Sequence, residues 1–231
     1  MKKLFVASAL ALFGAVHAQV NYGVKAGYNL SNVAVSSPVS SAKVLLGNKS
    51  GYSVGGFVEY GIGSGFSLQG EVLYSNLGAK ATVDSNKLPS TAENYGIDFN
   101  MPEGVKKAEI NFSVNQITVP LSAKYTFNDK FGVLGGVGIN FVTGRKLSLK
   151  ADGNDVTKFF EQNENIVLND ELKKQISSTN FTLHVGADYR ITQNVFVDVR
   201  YNFGISSLNQ NFTDFVSAKQ RYFQFGVGYK F

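Results

Sequence analysis

The chain lacks cysteine and tryptophan, and only 17% of its 231 residues are charged. Without cysteine there is no disulfide framework, no thiol catalysis and no cysteine-ligated metal. Beyond the N-terminus no run reaches the ~18 consecutive apolar residues that a membrane-spanning helix needs, which excludes a helical membrane protein. The formal net charge of +5 is too small to indicate nucleic-acid binding. The chain is nevertheless 44% hydrophobic, so its apolar residues must be arranged in another way.

The N-terminus has the pattern of a secretory signal peptide. Two lysines precede an apolar run over residues 4–16, and Val16-His17-Ala18 forms a small-x-small cleavage site before Gln19. We predict that residues 1–18 are removed on export and that residues 19–231 form one domain. The alternative is a buried N-terminal helix, which explains neither the lysines nor the small residues. Cleavage lowers the formal net charge from +5 to +3 because both lysines leave.

Eight segments alternate between apolar and polar or small residues, which is the period-two pattern of β-strands. The alternating segments are residues 20–28, 52–60, 66–74, 117–125, 133–141, 181–189, 195–203 and 223–231. None of their apolar-face positions carries a charge. The opposite face of these strands, continued to residue 190 in the sixth, carries all of their charged residues: Lys25, Glu59, Glu71, Lys124, Asp188, Arg190, Asp198, Arg200 and Lys230.

The connections between these segments alternate in length. Short turns, "GIGSG", "NDK" and "TQN", alternate with long gaps at roughly residues 31–50, 78–110, 143–178 and 206–220. Short periplasmic turns and longer extracellular loops are typical of bacterial outer-membrane barrels, which have an even number of strands. We therefore predict an all-β fold, an eight-stranded antiparallel up-and-down transmembrane β-barrel with four long extracellular loops.

Tyrosines decide which face points outward. They lie on the apolar face near strand ends, where an amphipathic ring suits a membrane interface. These tyrosines are Tyr28, Tyr52, Tyr60, Tyr74, Tyr125, Tyr189, Tyr201 and Tyr229. The pattern favours an apolar face in lipid over a soluble, lipocalin-like carrier, whose apolar face would line the cavity.

The chain ends inside its last predicted strand, with no polar tail after Phe231. In a closed barrel this strand pairs with the first strand, so that no open edge remains in lipid. The alternating terminus resembles the signal by which the barrel-assembly machinery recognises its substrates. The residues of this predicted insertion signal are Phe223, Phe225, Val227, Tyr229 and Phe231.

Three stretches carry a family resemblance: "YGVKAGYNLSN" at 22–32, "QITVPLSAKYTF" at 116–127 and the terminal "FQFGVGYKF". They resemble the small outer-membrane β-barrel proteins of Bacteroidota, often called porin-family proteins, and are distantly similar to PorT-like proteins. The resemblance implies the barrel fold and an outer-membrane location. Some relatives serve protein secretion and gliding.

One strand shows an irregularity. The apolar positions are even at Ile110, Phe112 and Val114 but odd from Ile117 onward. We expect a β-bulge near Asn115 or Gln116, with the upstream part extending beyond the membrane.

An eight-stranded barrel has an interior just wide enough for side chains to fill it. We therefore expect the charged residues listed above and His184 to form a lumenal ion-pair network, because buried charges persist when they are paired. A proton or solute path is the functional alternative. A Ser-His-Asp site at His184 and Asp188 is the enzymatic alternative, although a mid-lumen histidine has no room for substrate. No cofactor or metal site is predicted.

The sequence thus predicts a non-enzymatic outer-membrane barrel with a structural or surface-binding role through its extracellular loops. The alternatives are a narrow pore, a subunit of a protein-secretion complex and, less favoured, a barrel enzyme. The expected partners are outer-membrane lipid, the barrel-assembly machinery and an extracellular or secretion-complex protein.

Overall fold

A computed structural model describes residues 20–36, 46–84, 105–158, 177–208 and 217–231. The predicted signal peptide lies outside these residues. The described residues form nine strands: β1 (Val20–Ser36), β2 (Leu46–Gly63), β3 (Phe66–Asp84), β4 (Lys107–Phe127), β5 (Phe131–Ala151), β6 (Asn154–Asp155), β7 (Thr179–Arg190), β8 (Val195–Gly204) and β9 (Ser217–Lys230). Strand β6 is a two-residue pairing at the outer end of β5, and the other eight strands form the barrel. Among the described residues, no helix is long and apolar enough to cross a membrane.

The eight long strands close into one antiparallel ring. Their order is β4-β3-β2-β1-β9-β8-β7-β5, and β4 pairs with β5 to close it. The last strand pairs with the first from Gly23–Lys230 to Ser36–Ser217, which joins the two ends of the sheet. The predicted eight-stranded antiparallel barrel is confirmed.

The short connections are tight turns that use residues tolerant of positive φ. Ser64 and Gly65 join β2 to β3 with φ of 52° and 82°, and Asn128 and Asp129 between β4 and β5 have φ of 36° and 57°. Positive φ at both central residues matches the right-handed twist of a hairpin. These turns lie at the end that the strand pattern assigns to the periplasm.

All eight predicted alternation registers place their apolar residues outward. Val197 and Phe225, for example, are 39% and 49% exposed. Aromatic residues cluster at both ends of this surface. At the periplasmic end Phe231 packs against Tyr22 and Tyr229, with ring centroids 5.6 and 5.4 Å apart. At the outer end Tyr201 packs 4.7 Å from Phe223. Such paired aromatic belts mark the two membrane interfaces.

The strands extend further outward than the eight alternating segments, because parts of the predicted long gaps are strand. For β4 this confirms the expected extension upstream of Asn115. Strands β3, β4 and β5 have 19, 21 and 21 residues, whereas β7 and β8 have 12 and 10. A membrane crossing needs about 9–11 residues. The wall formed by β3–β5 therefore rises well beyond the membrane, and the wall formed by β7 and β8 does not.

The expected bulge is present in the β4–β5 pairing but on the other strand. Asn115 pairs with Gly144 and Gln116 with Val142, so the extra residue is Thr143 of β5. The β3–β4 pairing continues without interruption at Asn115 and Gln116. The predicted irregularity at Asn115 and Gln116 is therefore confirmed, but the extra residue lies on β5 and not on β4.

Strand β4 keeps the same side chains inward and outward in alternation along its length, while the medium around it changes. Val114 is fully buried and points inward like Gln116, whereas Asn115 points outward like Ile117. On β3 the same change occurs between outward-facing Tyr74 and Asn76, which pair with Ile117 and Asn115. Asn76 donates a side-chain hydrogen bond to Asn115. Apolar residues face out below this level and polar residues above it, so the outer membrane boundary lies between these two pairs.

Candidate functional site

The lumen gathers the residues that the sequence assigned to a charge network. Eight of them are buried: Lys25, Glu59, Glu71, Lys124, His184, Asp188, Asp198 and Arg200. Arg190 and Lys230 are half-buried and line the periplasmic mouth. The strand alternation brings them together, since each occupies an inward position of its strand.

A central cluster joins two cations and two anions. Lys25 Nζ lies 2.7 Å from Asp198 and 3.6 Å from Glu71. Arg200 contacts Glu71 at 2.5 Å and Asp198 at 3.0 Å. Each cation therefore pairs with both carboxylates, and the four formal charges cancel. Buried charges are tolerated when they are paired and hydrogen bonded in this way.

A second cluster lies at the periplasmic mouth. Lys124 Nζ lies 3.3 Å from Glu59 and 3.0 Å from Asp188, and Lys230 Nζ lies 3.5 Å from Glu59. The cavity beside this cluster, which Arg190 also lines, has a volume of about 10 Å³. That is room for about one water molecule.

Two glycines that the sequence did not single out make space for these clusters. Gly226 pairs directly with Asp198, and Gly132 with Asp188. A Cβ at Gly226 would lie 2.1 Å from Asp198 Oδ1 and 2.8 Å from Lys25 Cε. A Cβ at Gly132 would lie 2.5 Å from Asp188 Oδ1. Each aspartate thus reaches its lysine above a glycine on the neighbouring strand.

Uncharged polar residues form the next layer, which the sequence also left unassigned. The Gln116 amide donates to Asn140 at 3.1 Å and to Thr118 at 3.0 Å. Asn140 in turn donates to Asn180 at 2.9 Å. Nothing in a single sequence separates these residues from polar surface residues until their inward registers are known.

Apolar side chains fill the β3–β4 side of the interior near its top. Leu77, Ala79 and Val114 are at most 3% exposed, and Leu77 pairs with Val114 across β3 and β4, while Arg145 of β5 pairs with Val114 from the other side. Ser31 beside them is fully buried and exchanges hydrogen bonds with the backbone of Gly78.

His184 does not form the triad that was considered for it. Its Nε2 atom is hydrogen bonded to the Ser122 hydroxyl at 2.8 Å, and both residues are buried. Asp188 pairs with Lys124 instead. The arrangement is a serine–histidine contact inside a filled lumen.

A third ion-pair cluster lies on the outer surface of the tall wall. Glu109 contacts Lys107 at 2.8 Å and Lys80 at 2.9 Å. Hydrogen bonds from Lys107 and Lys80 lower the pKa of Glu109 to about 2. Among the described residues, no group of three or more histidine, cysteine or acidic residues could hold a metal ion.

A closed eight-stranded barrel with an apolar exterior, two aromatic belts and a paired polar interior defines an integral outer-membrane β-barrel protein. Residues 4–231 match the family described as outer membrane protein beta-barrel domain, and the chain belongs to that family. The protein is located in the outer membrane.

Solved structures similar to this chain include small barrels from several bacteria. The attachment invasion locus protein Ail of Yersinia pestis is 14% identical, with a TM-score of 0.47 over 92% of this chain and 99% of that chain. Neisserial surface protein A is 17% identical, with a TM-score of 0.46 over 91% and 97%. The outer membrane protein OprG from Pseudomonas aeruginosa is 11% identical, with a TM-score of 0.40 over 92% and 96%. A comparison with curated proteins finds no match.

Proposed function

We propose that this protein is a non-enzymatic barrel with a closed lumen, which serves as a rigid membrane platform for surface binding through its extracellular segments. The observation that carries the proposal is the filled interior. Paired charges occupy the lower lumen, hydrogen-bonded amides lie above them, and apolar side chains lie above the amides. Such an interior stabilises the wall and leaves no continuous aqueous path.

Conductance in planar bilayers tests the closed lumen. We expect no channel steps from the folded protein, whose insertion is verified by the shift in gel mobility between heated and unheated samples. Channels whose conductance scales with salt concentration would contradict the proposal and would favour the pore alternative.

The absence of enzymatic activity is proposed from the burial of the only mature histidine. Ser122 and His184 are 1% and 2% exposed, so a substrate has no access to them. His184→Ala and Ser122→Ala should leave every outer-membrane phenotype of the strain unchanged. A phenotype lost in both variants at normal protein level would support the enzyme alternative.

Surface binding requires the extracellular segments that join the strands. Replacement of residues 37–45 and 85–104 by short Gly/Ser linkers should abolish binding of an extracellular or secretion-complex protein and leave the barrel folded. A partner that binds the shortened protein equally well would contradict this role.

The C-terminal strand is proposed as the insertion signal for the barrel-assembly machinery. Phe231 donates its backbone N–H to Tyr22 at 2.9 Å and packs against two aromatic rings. Phe231→Ser should reduce the amount assembled in the outer membrane more than it reduces the stability of the refolded protein. Equal effects on both would indicate only a packing role.

A further inference from the structure

The outer surface of the short wall carries a groove next to two cations. It has a volume of about 540 Å³ and opens outward. Its lining consists of Tyr201, Phe203, Gly204, Ile205, Lys219 and Arg221. We propose that this groove binds a phosphorylated glycolipid of the outer leaflet, with its acyl chains along the aromatic residues and its phosphate at Lys219 and Arg221.

The position of Arg221 along its strand places it at headgroup level. On β9 the outward residues are apolar from Phe231 up to Phe223, and Arg221 is the next outward position. Phe203 pairs with Arg221, and Tyr201 with Phe223. The groove therefore begins in the lipid-facing aromatic belt and ends at the cations, which matches the order of acyl chains and phosphate in a lipid.

The cations beside the groove differ from those around Glu109 on the tall wall. There Lys80 and Lys107 share one carboxylate, Glu109, at 2.9 and 2.8 Å. Among the residues that the structure describes, no carboxylate lies within 4.0 Å of Lys219 or Arg221, and Arg221 is exposed. A half-buried lysine and an exposed arginine at a membrane interface attract anionic headgroups.

The shape of the wall makes the site accessible. Strand β8 ends at Gly204, whereas β9 continues outward past Arg221 to Ser217. Beyond Gly204 the chain stays beside β9, where Leu208 donates its backbone N–H to Ala218 at 2.8 Å, and Ile205 lines the groove next to the cations. Lys219 and Arg221 lie two positions apart on one face of β9, a spacing of ~7 Å along the strand. Two cations at this spacing suit a phosphorylated sugar headgroup, and Arg221 can hold a phosphate with two parallel hydrogen bonds.

Native mass spectrometry of the folded protein in a non-ionic detergent tests the site. The probes are bisphosphorylated lipid A, chemically dephosphorylated lipid A and inorganic pyrophosphate. Lys219→Gln/Arg221→Gln removes the site, and Lys80→Gln/Lys107→Gln is the matched control because it removes two outward cations from the same end of the barrel. We expect bisphosphorylated lipid A to bind the wild-type protein and the control, and to bind the site variant more than about tenfold more weakly.

The conservative variant Lys219→Arg/Arg221→Lys should retain binding, because it keeps both charges. Dephosphorylated lipid A should bind at least about tenfold more weakly than the phosphorylated form. Equal loss in the site variant and the control would indicate general charge attraction and would overturn the proposal. Unchanged binding in the site variant would also overturn it, as would pyrophosphate binding as tightly as the lipid. Loss of this site would leave the closed lumen and the surface role unaffected.

Discussion

The interior of the barrel has two levels that differ in chemistry although they lie on the same inward face. At membrane depth β3 directs Gln69 and Glu71 inward, and above the membrane it directs Leu77 and Ala79 inward. The outward residues change in the opposite sense, from Tyr74 to Asn76. Below the boundary the exterior is lipid and the interior takes the polar groups. Above it the exterior is water, and on the β3–β4 side the interior is apolar, with Leu77 and Val114 fully buried next to Arg145 of β5.

Two neighbouring strands achieve this inversion by different means. Strand β4 keeps a continuous backbone, and its sequence changes the parity of its apolar residues. Strand β5 keeps its apolar residues on odd positions, and the extra residue Thr143 transfers Leu147 to the other face. The parity change in β4 and the bulge in β5 therefore have the same effect. Each turns apolar side chains from the lipid-facing side toward the interior above the membrane boundary.

The largest expected loss of stability comes from removing one charge from the lower level of the interior. Arg200→Met leaves Glu71 and Asp198 with Lys25 as their only cationic partner in the described interior. We expect the free energy of unfolding to fall by about 4 kcal/mol, because removal of one partner leaves a buried charge uncompensated. Urea unfolding of the refolded protein in lipid vesicles measures this loss.

The double variant Glu71→Leu/Arg200→Met is the matched control. It removes one cation and one anion, and Lys25 with Asp198 remains as a balanced pair. We expect it to be more stable than Arg200→Met by at least ~1 kcal/mol. If the double variant is the less stable of the two, pairing does not account for the charged interior.

The upper level of the interior should lose stability when side-chain volume is removed from it. Leu77 is fully buried beside Val114, so Leu77→Ala should cost about 3 kcal/mol through lost burial and a residual cavity. Leu68→Ala on the same strand is the control, because Leu68 is 44% exposed and faces lipid, which also surrounds the truncated side chain. Equal losses in the two variants would show that the upper interior is not a packed core.

The sequence predicted most of this architecture because alternation, turn chemistry and lipid-facing aromatics are local signals. Every predicted strand is present, and the residues predicted for the lumen point inward, Lys25 and Arg200 among them. It predicted the outward extension of β4 upstream of Asn115, but it left the extensions of β3 and β5 in long gaps. Apolar residues there, such as Leu77, change parity at the membrane boundary, and the depth of that boundary is not written in the local pattern.

The sequence also could not predict which residues meet across strands. Gly226 matters because it pairs with Asp198, and that pairing depends on the register of β8 against β9. A slip of one residue would exchange the two faces, while a slip of two would keep the alternation and change every contact. Single-sequence patterns fix the parity of a strand but not its register.

Gly226→Ala tests this register with a smaller change. The added methyl group would lie 2.1 Å from Asp198 Oδ1, so the Lys25–Asp198 pair must shift. We expect a loss of about 2 kcal/mol in the free energy of unfolding, as for other overpacked interiors. Gly70→Ala is the control, because a Cβ there meets nothing within 4 Å. A loss in the control as large as in Gly226→Ala would indicate a backbone effect in place of a contact with the ion pair.

The smallest effect is expected for the ion pairs outside the barrel. Glu109→Gln should cost less than about 1 kcal/mol, because Lys80 and Lys107 are solvent-accessible. The pKa of Glu109 is about 2 in the folded protein, below its ordinary value of 4.5. The carboxylate therefore stabilises the fold above pH 4.5, and this contribution is lost as the pH falls from 4.5 toward 2.

Urea unfolding of wild type and Glu109→Gln across this range checks the sign and the size together. The difference between the two proteins should be constant from pH 7 to pH 5 and should vanish near pH 2. A difference that grows as the pH falls would contradict the assigned direction. The central buried cluster and the Glu109 cluster have similar charges and contacts of 2.7–3.0 Å, and they differ in their surroundings. If Glu109→Gln lowered the free energy of unfolding as much as Arg200→Met, burial would not explain the difference expected between the two clusters.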